Sequence, residues 1–460
     1  VSPFSTSRHT ASLPAVASPK PAHGQQGFSS QANENTCGPK FFPCYERLNT
    51  SQASRVTILS GLRITECAAF IAGPFATMSL ASLGAEVIRI DPLEGGLDYH
   101  RWPVTDTGRS LYWAGLNKGK KSVSIDLRSP EGRELAQAII TAPGEDSGLF
   151  ITNFPATGWL DFEKLKALRG DLIMANILGN RDGSTALDYT VNCAVGFPSV
   201  TGAPGDSTPT NHVLPAWDLL CGMTAATGLL AAERHRRKHG VGQLLKIALS
   251  DIALAVVADL GFIAEVQVNG DNRARHGNHI FGAFGHDFET KDRRRIMVAA
   301  VSLGQWKTLC KATGIGDAVK KMEQSENLDM SREGDRFAAR VSLARLLAPW
   351  FAARTVAEAA SSLDAEKACW GLYQSFSQLV NEDPRCSTAS SLFAQVDHPG
   401  IGTTLTPRSP IDFAACEPVP PGAGPILGQH TDEVLADVLR LSNGQIAALH
   451  DNGIVAGQTA

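Results

Sequence analysis

Between residues 57 and 178, short apolar runs alternate with stretches of helical spacing. That alternation limits the fold more than any other feature of the chain. Ala76–Leu83 has the spacing of a helix, Gly84 ends it, and "AEVIRID" follows as a short buried strand. Ser122–Asp126 alternates as a strand. Ser129, Pro130 and Glu131 then form a helix start: a capping hydroxyl, a proline at the first helical position and an acid in the first turn. "GLFITNF" reads as another strand, and "DFEKLKALRGDLIMANILG" as a helix and a further strand. Strands and helices in turn at this spacing imply an α/β fold, a mostly parallel sheet with helices on both faces.

Further along, a long helix is expected from about Trp217 to Lys238. Its basic end, "RHRRKH", reads as a solvated C-terminus where cations oppose the helix dipole, rather than as a nucleic-acid patch. "GQLLKIALSDIALAVVADLGFIAEV" continues with a strand and one more helix. After about Asn269 the texture changes. A Gly-rich loop leads to a strand pair turning near Lys291–Arg294, and helical segments run on to about Leu379, which reads as a smaller α+β domain. The tail returns to strands and two short helices. The expected boundaries are 58–268, 269–382 and 383–460. Residues 1–57, rich in Ser, Ala, Pro and Gln without sustained periodicity, read either as a disordered extension or as an over-long start of the gene.

The 460 residues are 43% hydrophobic and 19% charged, with a net charge of -4. So balanced a total gives no sign of a nucleic-acid binder. No apolar run approaches the roughly 18 residues of a membrane span. The nine cysteines are scattered, with no Cys-x-x-Cys, and read as reduced thiols of an intracellular, cytoplasmic protein. GxGxxG, GxxxxGK[ST] and GxSxG are absent from strand-to-helix turns, so dinucleotide, nucleotide-triphosphate and serine-hydrolase readings lack their usual handles. His276, His279 and His286 share one Gly-rich loop, but their spacing fits no common zinc site and no metal is expected. The loop reads as a cover over a site, with Gly277 permitting unusual backbone angles.

One acid stands out. Asp188 lies alone in "GSTALDYTVNCAVGFPSVTG" among small, β-branched and apolar residues, where a carboxylate is costly to bury unless something pairs with it or uses it. Local sequence alone favours a capping role for it. Six blocks occur in order: "AGPFATMSLASLGAEVIRIDP", "NKGKKSVSIDLRSPEGREL", "LFITNFPATGWL", Asp188 in "ALDYTVNCAVG", "RHGNHIFGAFGHDF" and "GQHTDEVL". Together they resemble the class III CoA-transferase family, over roughly Leu59 to the C-terminus.

The resemblance implies that Asp188 is the family's nucleophile. It attacks a CoA thioester to form a mixed anhydride, from which CoA passes to the aspartyl carbonyl. It implies that Ile71, Ala72 and Gly73, before a helix, together with Lys120, Asn153 and Phe154, contact the CoA moiety. Arg101 and His212 are the candidates to hold the second substrate carboxylate. It implies a large Rossmann-like domain built from both chain ends, a smaller α+β domain between, an interlocked homodimer, and no cofactor beyond the CoA of the substrate. "GGLDYHRWP", "GLFITNFPATGW", "NRDGSTALDYTVN", "NHVLPAWD" and "FIAEVQVNG" resemble the branch that moves CoA between the two carboxyls of one C5 dicarboxylate. An intermolecular transferase is the main alternative. A racemase is disfavoured, because no histidine lies between His100 and His212 to form its acid–base pair, and a dead CoA-binding scaffold is disfavoured by the intact blocks.

Overall fold

The computed structural model describes residues 57–458, so the expectation for residues 1–57 falls, but for Thr57, outside it. The alternation read from the sequence is present as β1 (Arg63–Cys67), α1 (Ala72–Ala81), β2 (Glu86–Asp91), α2 (Leu111–Leu116), β3 (Lys121–Ile125) and α3 (Pro130–Ile140). It continues as β4 (Leu149–Thr152), α4 (Phe162–Leu168), β5 (Ile173–Leu178), α5 (Asp188–Ala194), α6 (Phe197–Val200), α7 (Ala216–His239) and β6 (Leu244–Ala248). The start predicted for α3 forms as expected: Ser129 Oγ accepts from Gly132 N at 3.0 Å. The expected helix after β6 is two helices, α8 (Leu249–Asp259) and α9 (Phe262–Asn269), because Gly261 adopts φ +80° and breaks the ladder between them.

The strands from β1 to β6 are parallel and lie in the order β3-β2-β1-β4-β5-β6, a doubly wound arrangement. A last strand, described with the C-terminal elements below, adds antiparallel to β3. Every residue of β4 is buried, as befits a parallel strand covered on both faces. Its side chains alternate between two cores. Leu149 and Ile151 pack with Ile64, Val87, α1 and α7, whereas Phe150 packs with Ile88, Ile90, Val123, α3 and α4. Helices α1 and α7 approach closely: a Cβ at Gly222 would lie 2.8 Å from Ala72 O, so glycine is what allows the crossing.

Strands β7 (Phe284–Glu289) and β8 (Arg295–Ala300) form the expected antiparallel pair. Helices α10 (Leu303–Thr313), α11 (Gly316–Glu326), α12 (Glu333–Ala338), α13 (Arg340–Ala352) and α14 (Val356–Ala365) follow, and β9 (Cys369–Leu372) joins β8. This region has its own apolar core, with Phe284, Phe288, Val298, Leu309, Leu347 and Phe351 at its centre. Then come α15 (Phe376–Glu382), the hairpin β10 (Phe393–His398) and β11 (Gly402–Pro407), α16 (Thr431–Leu439), α17 (Asn443–Asp451) and β12 (Val455–Ala456). Val434 and Leu435 of α16 and Ile446 of α17 bury against the same face of the large sheet as α3, and β12 pairs with β3. Both ends of the described chain thus build one sheet layer. No helix among the described residues is long and apolar enough to cross a membrane.

Candidate active site

In this strand order β1 and β4 are neighbours whose following helices go to opposite faces, which opens a crevice at their C-terminal ends. The sequence places two predicted groups there. Asn153, just past β4, accepts from Ala69 N at 3.0 Å and donates to Ala69 O at 2.8 Å. It is a staple across the crevice. Phe154, beside it, packs partly against the sheet core. The next residue after Ala69, Phe70, has φ +68°, a conformation costly for a bulky side chain. Asp98 Oδ2 holds it by accepting from Phe70 N at 3.1 Å. Ile71 then opens α1 without a side-chain cap, so the first N–H groups of the helix have no side-chain acceptor there.

Asp188 is the first residue of α5 and only 2% exposed. Its Oδ2 accepts from Trp217 N at 2.7 Å and from Asp218 N at 3.1 Å, both in the first turn of α7. Pro215 precedes α7 and supplies no cap, so Asp188 caps that helix from 29 residues upstream in the chain. Oδ1 pairs with His212 Nε2 at 2.7 Å; a carboxylate only accepts, so Nε2 carries the proton. His212 thus sits on Asp188 itself. The capping reading and the nucleophile reading are compatible, because the cap uses one oxygen and the histidine the other.

Arg101 lies over the rings of Phe70 (5.5 Å) and Tyr112 (5.3 Å). The Tyr112 hydroxyl is buried with no hydrogen-bond partner among the described residues, and burial pushes it above the usual phenol range. Asp218 is a carboxyl that the sequence reading did not single out. Burial and the neighbouring Asp188 charge raise it to about 6, against the pull of Arg101. Asp98, Tyr112 and Trp217 were missed as well. Their only trace in the sequence is that they stand in the "LDYHRWP", "LYW" and "PAWD" stretches flanking residues already chosen.

Lys120 departs from expectation. It is wholly buried, and its ammonium donates to Glu66 Oε2 (2.7 Å), Asn117 Oδ1 (2.8 Å) and Pro74 O (2.9 Å). All three of its donors are spent, so none remains for a phosphate. Burial lowers it to about 8, with Glu66 resisting. Lys118, half-buried, has no ion pair among the described residues.

In the Gly-rich loop, Gly277 has φ +58°, as expected. The loop lies on the segment after α5: Gly277 N donates to Gly202 O, and Arg275 to Ser199 O and Pro198 O. The His279 and His286 rings stack at 4.1 Å and 14°, a geometry that does not converge their nitrogens on one point. Among the described residues, no group of three or more His, Cys, Asp or Glu side chains is placed to hold a metal ion. A cavity of ≈ 330 Å³ lined by Tyr99, His100, Arg109 and Trp113 does not include Asp188.

The site is thus a carboxylate set at two helix starts on a doubly wound sheet. The chain belongs to CoA-transferase family III, whose sequence profile matches residues 59–431. Over 401 residues it is 53% identical to 2-methylfumaryl-CoA isomerase of Chloroflexus aurantiacus, covering 87% of this chain and 98% of that one. It is 28% identical to succinyl-CoA:mesaconate CoA-transferase of Haloarcula hispanica, over 82% and 95% of the two chains. The fold matches the crystal structure of a CaiB/BaiF family protein from Brucella suis with a TM-score of 0.69 at 25% identity, covering 83% of this chain and 99% of that one.

The Lys120 geometry carries a prediction. Lys120→Ala leaves Glu66 buried with less compensation and should cost about 3–5 kcal/mol of stability, read by denaturant unfolding. Unchanged stability with a raised KM for the CoA ester would return Lys120 to the phosphate role.

Proposed function

We propose that this chain converts 2-methylfumaryl-CoA (mesaconyl-C1-CoA) to 3-methylfumaryl-CoA (mesaconyl-C4-CoA) by moving CoA between the two carboxyls of one dicarboxylate. The observation that carries the reading is the 53% identity along nearly the whole of the Chloroflexus aurantiacus isomerase. The geometry around Asp188 supplies a route. Oδ1 attacks the thioester carbonyl; the new C–O bond forms, the C–S bond breaks, and CoA leaves as the thiolate with the electron pair. Thiolate then attacks Cγ of Asp188, breaking the Cγ–O bond and freeing the substrate carboxylate. Oδ2 never leaves the Trp217 and Asp218 amides, which serve as an oxyanion hole when charge develops on it. His212 releases Oδ1 and orients it. The other substrate carboxylate attacks the aspartyl thioester, and the same two steps run in reverse. No proton is gained or lost by the cycle.

Between the half-reactions the dicarboxylate must be retained. Arg101 and the unpartnered Tyr112 hydroxyl are the groups we assign to its free carboxylate. Ile71, Ala72, Gly73, Asn153 and Phe154 line the crevice for CoA, and the loop around Gly277 covers the site. A second copy of the chain completes the assembly. Trp102, Leu187 and Val213, each next in sequence to a site residue, are 79%, 58% and 92% exposed in the single chain, more apolar surface than a site rim needs.

Asp188→Asn keeps an oxygen to cap α7 but has no nucleophilic carboxylate. It should unfold within about 1 kcal/mol of the parent while turnover of 2-methylfumaryl-CoA falls by roughly three orders of magnitude or more. Near-normal turnover in that folded variant would remove Asp188 from the chemistry. Light scattering at micromolar protein should find twice the mass of one chain, and a stable, active monomer would refute the assembly. The test of the function itself is isotope exchange. Unlabelled 2-methylfumaryl-CoA should isomerise beside labelled free mesaconate with almost no label entering the CoA-ester pool, since holding the acid gives an effective concentration on the order of 10⁵ M. Label entering as fast as isomerisation proceeds would make this an intermolecular transferase.

A further inference from the structure

Asp218 is a half-buried carboxylate that accepts no hydrogen bond and makes no ion pair among the described residues. Its backbone N–H is committed to Asp188 Oδ2 at 3.1 Å, which fixes it in the first turn of α7, next to the nucleophile. Few groups face it. Asp188 from α5 and Arg101 from the loop before α2 are the charges that act on it. Tyr112 of α2 and Cys221 of its own helix feel its charge in turn, and both are neutral, being raised by burial. His212 is occupied with Asp188, and Asp251 on α8 is paired with Arg181. Helix α1, packed along α7, carries no titratable side chain.

The protein's own groups therefore set two carboxylates, Asp188 and Asp218, against one guanidinium, Arg101. A substrate that keeps one free carboxylate brings a third negative charge into the same half-buried space. Three carboxylates on one cation are strongly unfavourable where water is scarce. A proton on the group with no donors of its own relieves this at once, and it converts a repulsive neighbour into a donor. A carboxylic acid donating to a carboxylate makes a short, charge-assisted hydrogen bond.

Resting on the reading above that the substrate carries a free carboxylate, we propose that Asp218 takes up a proton as that carboxylate binds, and holds it with an O–H···O hydrogen bond beside Arg101. The proton comes from solvent on binding and returns on product release, so the chemical cycle stays proton-neutral. While CoA sits on Asp188, the freed dicarboxylate carries two negative charges and the Asp188 side chain none. The protonated Asp218 and Arg101 then remain matched to what they hold.

The probe is an S-(carboxyalkyl)-CoA thioether, which presents a free carboxylate but no electrophilic carbonyl; the control is the S-alkyl thioether of the same length. Calorimetry in buffers of different ionisation enthalpy counts the protons bound. At pH 7–8 the wild type should take up between about half and one proton with the carboxylate probe and none with the control, and Asp218→Asn should bind the probe with no uptake. In turnover, wild-type KM should climb toward tenfold per pH unit on the alkaline side while kcat stays flat, and Asp218→Asn should lose that KM slope. Zero wild-type uptake at pH 7–8, or equal uptake in Asp218→Asn, overturns the proposal, and the wild-type count needs no variant to fold. The two readings fail separately. Isomerisation without probe-linked uptake sinks the Asp218 role alone, whereas probe-linked uptake without isomerisation sustains that role and sinks the proposed reaction.

Discussion

The Arg89 guanidinium, with no exposed surface, ties together three carboxylates from three parts of the chain: Glu66 of β1 (2.9 Å), Asp91 at the end of β2 (2.8 Å) and Asp98 of the loop beyond (3.1 Å). Lys120, just before β3, adds a second cation on Glu66. Burying five charges is expensive, and an apolar packing of the same volume would hold the strands together as well. What an apolar packing would not do is aim Asp98 Oδ2 at Phe70 N. The network is short one positive charge, and burial raises Asp98 against the pull of Arg89, yet that carboxyl still holds the one bulky residue at φ +68° in the site. With Asn153 clamping Ala69 from the other side, the turn from β1 into α1 has no freedom left, and the start of α1 is fixed at the mouth of the crevice.

Asp188 depends on that frame through α7, which packs along α1 where Gly222 lets the two backbones meet. Its capping bonds to Trp217 and Asp218 join α5 to α7 and place the carboxylate at the positive ends of both helices. An aspartyl thioester still has a carbonyl oxygen to accept those two N–H bonds. In the proposed reaction an acylated Asp188 would therefore keep its cap, and the helix start that positions it would not loosen.

Much of this was legible in the sequence for a definite reason. Parallel strands such as β4 and β5 are short, mostly apolar runs, and the Ser129–Pro130 start of α3 is a local signal, so the α/β alternation needed no long-range information. Asp188 stood out because a single acid among small apolar neighbours is chemically conspicuous. Lys120 was expected at the CoA moiety on the resemblance alone, and nothing local in "NKGKKS" says that the second of its three lysines points inward at Glu66, 54 residues away. The split between α8 and α9 turned on the backbone angle of a single glycine. Asp218 was invisible for the opposite reason: an acid in the first turn of a helix is the commonest place for one, and only the packing of Asp188 and Arg101 around it makes it unusual.

Asp188 and Asp218 stand at the same helix start and have opposite surroundings. Asp188 is given two backbone donors and an imidazole; Asp218 is given none and faces the Asp188 charge. For Asp218, burial without donors beside a like charge favours the protonated form. The separation also suits a reaction in which charge only changes hands. Acylating Asp188 removes one negative charge from the side chain and adds one to the freed acid, so the sum within the site is the same before and after. In the proposed cycle a single guanidinium can serve both states, and Arg101 lies over the rings of Phe70 and Tyr112. Because that sum does not change between the half-reactions of the proposed cycle, no net change of charge in the site drives the freed acid out before its other carboxylate turns to the thioester.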